Sequence, residues 1–320
     1  MKSWIATPLA LLMLCLLLPA PGQAGERLSY SCFFPPTHDQ AKLAEKWCRE
    51  VKARTNGEVT VDFYPGGTLT SAKECYDGVA QGISDIGFSV LGYTRGRFPV
   101  MAAVDLPMGY RSGREATEVA NSVYKRFRPD EFNDVHVLYF HAHGPGILHT
   151  ADKPVKTLED LKGMKIRATG NSGKLIGALG GTPVAMSMPD SYQSIRKGIV
   201  DGGIYPVETN KGWKMAEVVD YMTESYPVAY TTTFFVVMNK DRWNSLSEEA
   251  QKAITEISAE WIPKHGRVWD ESDKAGREYF LDQGGQIIPL PTREADRWKE
   301  RAQSLVDAYV REVGSKGLNG

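Results

Sequence analysis

The residue pattern predicts an α/β protein of two lobes, each a mixed sheet flanked by helices, with a ligand cleft between them. Three observations carry this expectation. Short strand-like runs alternate with amphipathic helical stretches, which calls for parallel pairings joined by right-handed crossovers. That rhythm stops and restarts near the middle of the chain. The length of 320 residues suggests about two domains rather than one core.

Elements follow in order. Leu28 to Ser31 reads as a strand, Gln40 to Thr55 as a helix capped by Thr37 or Asp39, and Val59 to Tyr64 as an alternating strand closed by Pro65-Gly66-Gly67. A helix over Ser71 to Gln81 leads to a strand at Ile86 to Phe88. The second unit runs through a strand at Val135 to His141, a short helix at Thr157 to Leu161, and a strand at Met164 to Ala168. It continues with a helix at Ser172 to Leu179, a strand at Thr182 to Ala185, a helix at Asp190 to Lys197 and a strand around Ile204. A late strand at Phe234 to Asn239 precedes a long helix, Glu248 to Glu278, expected to break near Pro263. A strand at Gln286 to Pro289 and a helix at Thr292 to Val313 close the chain. The expected division is 25–146 with 233–275 for the first lobe and 147–232 with 276–320 for the second.

Composition narrows the function. Lys+Arg 38 against Asp+Glu 39 gives a formal net charge of -1, so nothing draws the chain globally to nucleic acid. Residues 1–24 read as a secretory signal peptide: Lys2, an apolar run from Ile5 to Leu18 too short for a membrane span, and small residues before cleavage after Ala24. The mature protein is therefore expected in the periplasm, as a monomer. Export opens its thiols to oxidation. Cys48 and Cys75 fall on helices flanking the same strand and are expected to form a disulfide, with Cys32 left over.

Chemistry-bearing patterns are few. GxSxG, GxxxxGK[ST] and GxGxxG are absent, and no cofactor is called for. His136, His141, His143 and His149 cluster in sequence. His141 and His143, two apart on a strand, would face one side and suit a metal, but no HExxH helix completes a site. An exported metal-dependent enzyme is thus the reading from another class.

The segment Lys153-Pro154-Val155-Lys156-Thr157-Leu158-Glu159-Asp160-Leu161-Lys162-Gly163-Met164-Lys165-Ile166-Arg167 resembles a signature of the extracytoplasmic solute-binding proteins of TRAP transporters, the family that includes C4-dicarboxylate-binding proteins. Further matches follow the family order: Tyr64 through Leu69, Gln81 through Gly87, Tyr192 through Gly202, and Trp243 through Glu249. The resemblance spans nearly the whole mature chain. It implies a type II-like periplasmic binding protein fold that closes on an organic acid and delivers it to a membrane permease. It places Arg167 in the cleft as the partner of the ligand carboxylate, where a guanidinium fork fits two oxygens.

Two departures bear on the ligand. Relatives often carry Asn beside Pro after the Val-Asp-Gly segment, whereas this chain has Tyr205-Pro206. A second Arg found in some relatives is replaced by Gly144-Pro145-Gly146-Ile147. With Phe33, Phe34, Phe88, Tyr93, Trp213 and Phe234 expected at the cleft, these changes favour an aromatic or apolar monocarboxylate, such as an aromatic amino acid or an indole or phenyl acid. A C4-dicarboxylate is the runner-up. Thr37, His38, Ser89, His143, Asn171, Asn210 and Thr232 are the polar candidates for ligand contact.

Overall fold

The computed structural model describes residues 25–317, so the expected signal peptide lies outside the described residues. The first sheet has the order β2-β1-β3-β10-β4. Its strands are β1 (Glu26–Cys32), β2 (Val59–Tyr64), β3 (Ile86–Val90), β4 (Val135–Ala142) and β10 (Thr233–Asn239). β1 pairs in parallel with β2 and β3, whereas β10 runs antiparallel to β3 and β4. The second sheet has the order β11-β9-β5-β8-β6-β7. It comprises β5 (Gly146–Thr150), β6 (Lys165–Ala168), β7 (Thr182–Ala185), β8 (Gly202–Pro206), β9 (Tyr221–Thr223) and β11 (Gln286–Ile288). The chain crosses between sheets from β4 to β5 and again from Tyr230 to Thr233. The result is two lobes, each a mixed sheet covered by helices.

Helix α1 (Asp39–Arg54) places Leu43, Ala44, Trp47, Cys48 and Val51 on one buried face. Its cap is His38, whose Nδ1 accepts from the Gln40 amide, in place of the expected Thr37 or Asp39. Helix α2 (Cys75–Ala80) lies across the sheet from α1. With strand order β2-β1-β3, the connection from β1 to β2 and that from β2 to β3 run in opposite directions, so right-handed crossovers put the two helices on opposite faces.

That geometry corrects the expected disulfide. Cys48 and Cys75 do flank one strand, but from the two sides of the sheet, in separate cores. Cys48 donates its thiol to the Ala44 carbonyl at 3.3 Å, and Cys32, Cys48 and Cys75 are all free and buried. Burial pushes the Cys75 thiol up to about 12, which keeps it protonated and unreactive.

Helix α3 (Gly113–Phe127) is absent from the sequence reading. It seats on the sheet through Ala116, Thr117 and Ala120, with Val119, Val123 and Tyr124 packed beside them on the same stripe. In the second lobe α4 (Gly170–Leu179), α5 (Ser191–Arg196) and the short α6 (Thr209–Gly212) follow their strands, and α7 (Lys240–Asn244) caps the end of β10. Helix α8 (Glu248–Asp282) runs unbroken through Pro263, against expectation. Pro263 faces solvent, where water can take the carbonyl it leaves unpaired, while Trp261, His265 and Trp269 anchor the opposite face. At 35 residues α8 is about 52 Å long and serves both lobes. It packs on α1, α3 and β4, and further along Gly276 lies against Val207 and Glu208. Helix α9 (Thr292–Ser315) packs on α4 and, through the Tyr309 hydroxyl, on Pro99 of the first lobe.

Candidate functional site

The two lobes enclose a small cavity of about 40 Å³. The lobes are drawn together around it. Asn171 Nδ2 donates to the Ala102 carbonyl at 2.8 Å, the Met188 amide to Tyr93 Oη at 2.9 Å, and Thr169 Oγ1 to the Gly92 carbonyl at 3.3 Å.

Arg167 sits on β6 next to β8 and is 3% exposed. Its Nε donates to the Met186 carbonyl at 3.2 Å and its Nη1 to the Ile204 carbonyl at 3.5 Å. Among the described residues no carboxylate lies within ion-pair distance of it, although Glu208 lines the same cavity. A buried cation held only by backbone carbonyls is costly unless a counter-charge arrives from outside the protein.

Three phenols share the neighbourhood of Arg167, and one of them, Tyr230, donates its hydroxyl to the Ile204 carbonyl at 2.9 Å. Tyr205 stacks on His149 at 4.3 Å, and its hydroxyl is fully buried without a hydrogen-bond partner. Burial raises its pKa, and Arg167 opposes the rise, so the group remains an O–H donor. Tyr93 accepts the Met188 amide and keeps its own proton for another acceptor. His143 also lines the cavity and donates from Nδ1 to the Gly144 carbonyl. Its pKa is pushed down to about 3 by burial, against the Gly144 hydrogen bond and with a further push from Arg167, so the ring is neutral at pH 7.

The rest of the wall is aromatic. Phe33 packs against Phe34 at 4.4 Å, Tyr93 at 5.8 Å, Trp213 at 6.0 Å and Phe234 at 6.5 Å, and Trp269 closes the wall behind Phe234 at 5.2 Å. Thr232 adds a hydroxyl.

The remaining sequence candidates lie elsewhere. Phe88 is buried behind Phe33 and Phe34, Ser89 donates to the Ala72 carbonyl, and Thr37 is exposed. Asn171 spends its amide on the lobe contact already described. Asn210 reaches His149 and Met222 inside the second lobe. His38 turns to Glu208, its Nε2 lying 2.9 Å from Oε2 with both side chains almost fully buried. His141 and His143 do not share a metal: His141 accepts from Trp269 Nε1 at 2.9 Å and stacks on His265 at 4.1 Å. Among the described residues no three His, Cys, Asp or Glu side chains gather to hold an ion.

Sequence reasoning missed Glu208, Met188, Tyr230 and Trp269. Two had a signal. Glu208 interrupts an otherwise apolar run at the end of β8, and Trp261, His265 and Trp269 recur every four residues on one helix face.

Comparisons with known proteins agree with this geometry. The family model described as bacterial extracellular solute-binding protein, family 7, matches residues 30–312. A TRAP solute-binding protein from Rhodoferax ferrireducens, crystallised with copurified benzoate, is 30% identical, with a TM-score of 0.87 over 92% of this chain and 93% of that one. One from a marine metagenome, described as specific for aromatic acid ligands and bound to 3-hydroxybenzoate, is 31% identical, with a TM-score of 0.87 over 92% and 94%. The C4-dicarboxylate-binding periplasmic protein of Rhodobacter capsulatus is 24% identical over 303 residues, 91% of this chain and 88% of that one.

Proposed function

We propose that this chain, which belongs to the bacterial extracellular solute-binding proteins of family 7, is the exported TRAP receptor for an aromatic monocarboxylate. Proteins of this family bind solutes for transport and are not enzymes, which removes the reading of an exported metal-dependent enzyme. TRAP binding proteins take small organic acids and work with membrane permeases, and relatives are periplasmic. The lobes divide at 25–146 with 233–275 and 147–232 with 276–320, a partition supported by which strands share each sheet.

One observation carries the ligand class: a buried Arg167 without a protein counter-charge, facing a cavity walled by Phe33, Phe34, Trp213, Phe234 and Trp269. The guanidinium takes a carboxylate, and Tyr205 and Tyr93 offer it two hydroxyl donors. The rings take an apolar body. Closure excludes water and strengthens the ion pair. The solved relatives at 30% and 31% identity, bound to benzoate and 3-hydroxybenzoate, point the same way. A C4-dicarboxylate fits less well, since the cavity offers one guanidinium and also presents the Glu208 carboxyl.

The test is a thermal-shift and calorimetry panel of aromatic monoacids, indole and phenyl acids, aromatic amino acids and C4-diacids. A ligand at about 100 times its Kd adds roughly 2.7 kcal/mol to stability, a plain rise in Tm. Aromatic monoacids are expected to give that rise and succinate or malate not. A rise with diacids alone keeps the receptor and sinks the aromatic assignment.

A further inference from the structure

Arg167 accounts for one polar feature of the cavity, and Glu208 is another. Glu208 follows β8 and its side chain is 2% exposed. Three constraints hold it in place. Its amide donates to Asp273 Oδ1 at 2.8 Å, its Oε2 meets His38 Nε2, and Gly276 lets α8 approach its backbone. A Cβ on Gly276 would fall 2.7 Å from the Glu208 Cα. A Cβ on Gly212 would fall 2.5 Å from Glu208 Oε2. The packing thus leaves room for this acid and its histidine and fixes their orientation.

Among the described residues Oε1 of Glu208 has no hydrogen-bond partner, and the side chain lines the cavity. It stands apart from Arg167, with which it forms no ion pair. The aromatic wall spans the interval: Phe33 touches Tyr93 on the Arg167 side, while Phe34 and Trp213, its other neighbours, pack against His38. Oε1 therefore borders the cavity as an acceptor open to a donor on a bound molecule. The two sites call for opposite groups on one small molecule.

From this we infer that Glu208 is a specificity residue for a ring-borne hydrogen-bond donor: the ligand is an aromatic monoacid that also carries a hydroxyl or amino group, which donates to Glu208 Oε1 while Arg167 holds the carboxylate. The inference rests on the aromatic-monoacid reading above. It also supplies a reason for excluding diacids, because a second carboxylate would be set acceptor to acceptor against the Glu208 carboxyl. Because Oε2 of the same carboxyl binds His38 of the first lobe, the donor engages a group that bridges the lobes.

Calorimetry with benzoate, 3- and 4-hydroxybenzoate, 3- and 4-aminobenzoate, isophthalate and terephthalate tests it, on the wild type and on Glu208→Met and Glu208→Gln. At least one hydroxy or amino acid is expected to bind roughly tenfold or more tighter than benzoate, with the two diacids weakest. Glu208→Met should collapse that ratio toward one while benzoate still binds. Glu208→Gln, which keeps an acceptor oxygen, should retain part of the preference for the hydroxy acids. Reading a ratio of two ligands on one variant separates the effect from any general loss of stability. If benzoate matches every substituted acid in the wild type, or the ratio survives in Glu208→Met, the inference is wrong and the aromatic receptor stands. If no aromatic acid binds at all, the underlying reading fails, and this inference with it.

Discussion

The two walls of the cleft obey different rules. The first lobe contributes mainly Phe33, Phe34, Phe234 and Trp269, a surface that merges with that lobe's core, with Tyr93 and His143 as its polar edge. The second contributes Trp213 to the rings, but chiefly Arg167, Tyr205 and Glu208, each a buried polar group that the protein alone leaves incompletely partnered. An aromatic wall is explained by packing whether or not a ligand exists. A wall of unsatisfied polar groups is explained only by something that enters. The first lobe therefore supplies shape and contact area, and the second supplies orientation and choice.

The sharpest way to break this contrast is to remove the cation. Arg167→Met should lower affinity for every acid by at least about 100-fold, since the ligand carboxylate would be left buried and unpaired. The unliganded variant should melt at the same temperature as the wild type or higher, because the costly buried charge is gone while its volume is kept. Arg167→Lys should also bind poorly, having lost the fork. Calorimetry and thermal melts read both effects. Tight binding by the methionine variant would end the assignment, and a large fall in its unliganded Tm would make Arg167 a structural residue.

A smaller effect is expected on the other wall. Phe33→Leu keeps most of the volume but loses a ring that packs against five others. Affinity for aromatic acids should fall by roughly tenfold while the order of preference among ring substituents is unchanged. A reordered preference would mean that the first lobe also chooses, and the division of labour between the walls would be wrong.

The same division explains how much was legible in the sequence. Elements with a periodic apolar face or clear flanking turns were readable: β2 falls where alternation places it, β7 where the turns around it do, and α1 differs by one residue at each end. α3 was missed although Ala116, Val119, Ala120, Val123 and Tyr124 recur at helical spacing, a signal the sequence did carry. The continuity of α8 was not readable, since only the fold decides that Pro263 faces water. The Cys48 to Cys75 pairing failed for a topological reason: flanking one strand does not say from which face. At the site, Arg167 was marked by its motif. Glu208 looked like any isolated acid at a strand end, and its partner His38 lies 170 positions away. Phe88, Ser89 and Asn210 are near the cleft in sequence, but strand alternation and helix facing turn them inward.

Tyr205 is the finest test, because it belongs to both descriptions. The sequence reading takes it as an apolar replacement for an amide, which would make it part of the aromatic wall. In the structure its ring is spent on His149, a neighbour within the second lobe, and its hydroxyl lies buried without a partner in the neighbourhood of Arg167. If the hydroxyl is the functional part, it is a hydrogen-bond donor to the ligand carboxylate. Tyr205→Phe should then weaken binding of all carboxylates about three- to tenfold, the ordinary worth of one hydrogen bond, without changing which acid is preferred. Tyr205→Asn removes the ring instead and keeps a donor. It should lose the stack on His149, lower Tm, and shift preference toward smaller polar acids. Unchanged affinity in Tyr205→Phe together with a lost aromatic preference in Tyr205→Asn would return Tyr205 to the apolar wall, and only Arg167 and Glu208 would be left to set the second lobe apart from the first.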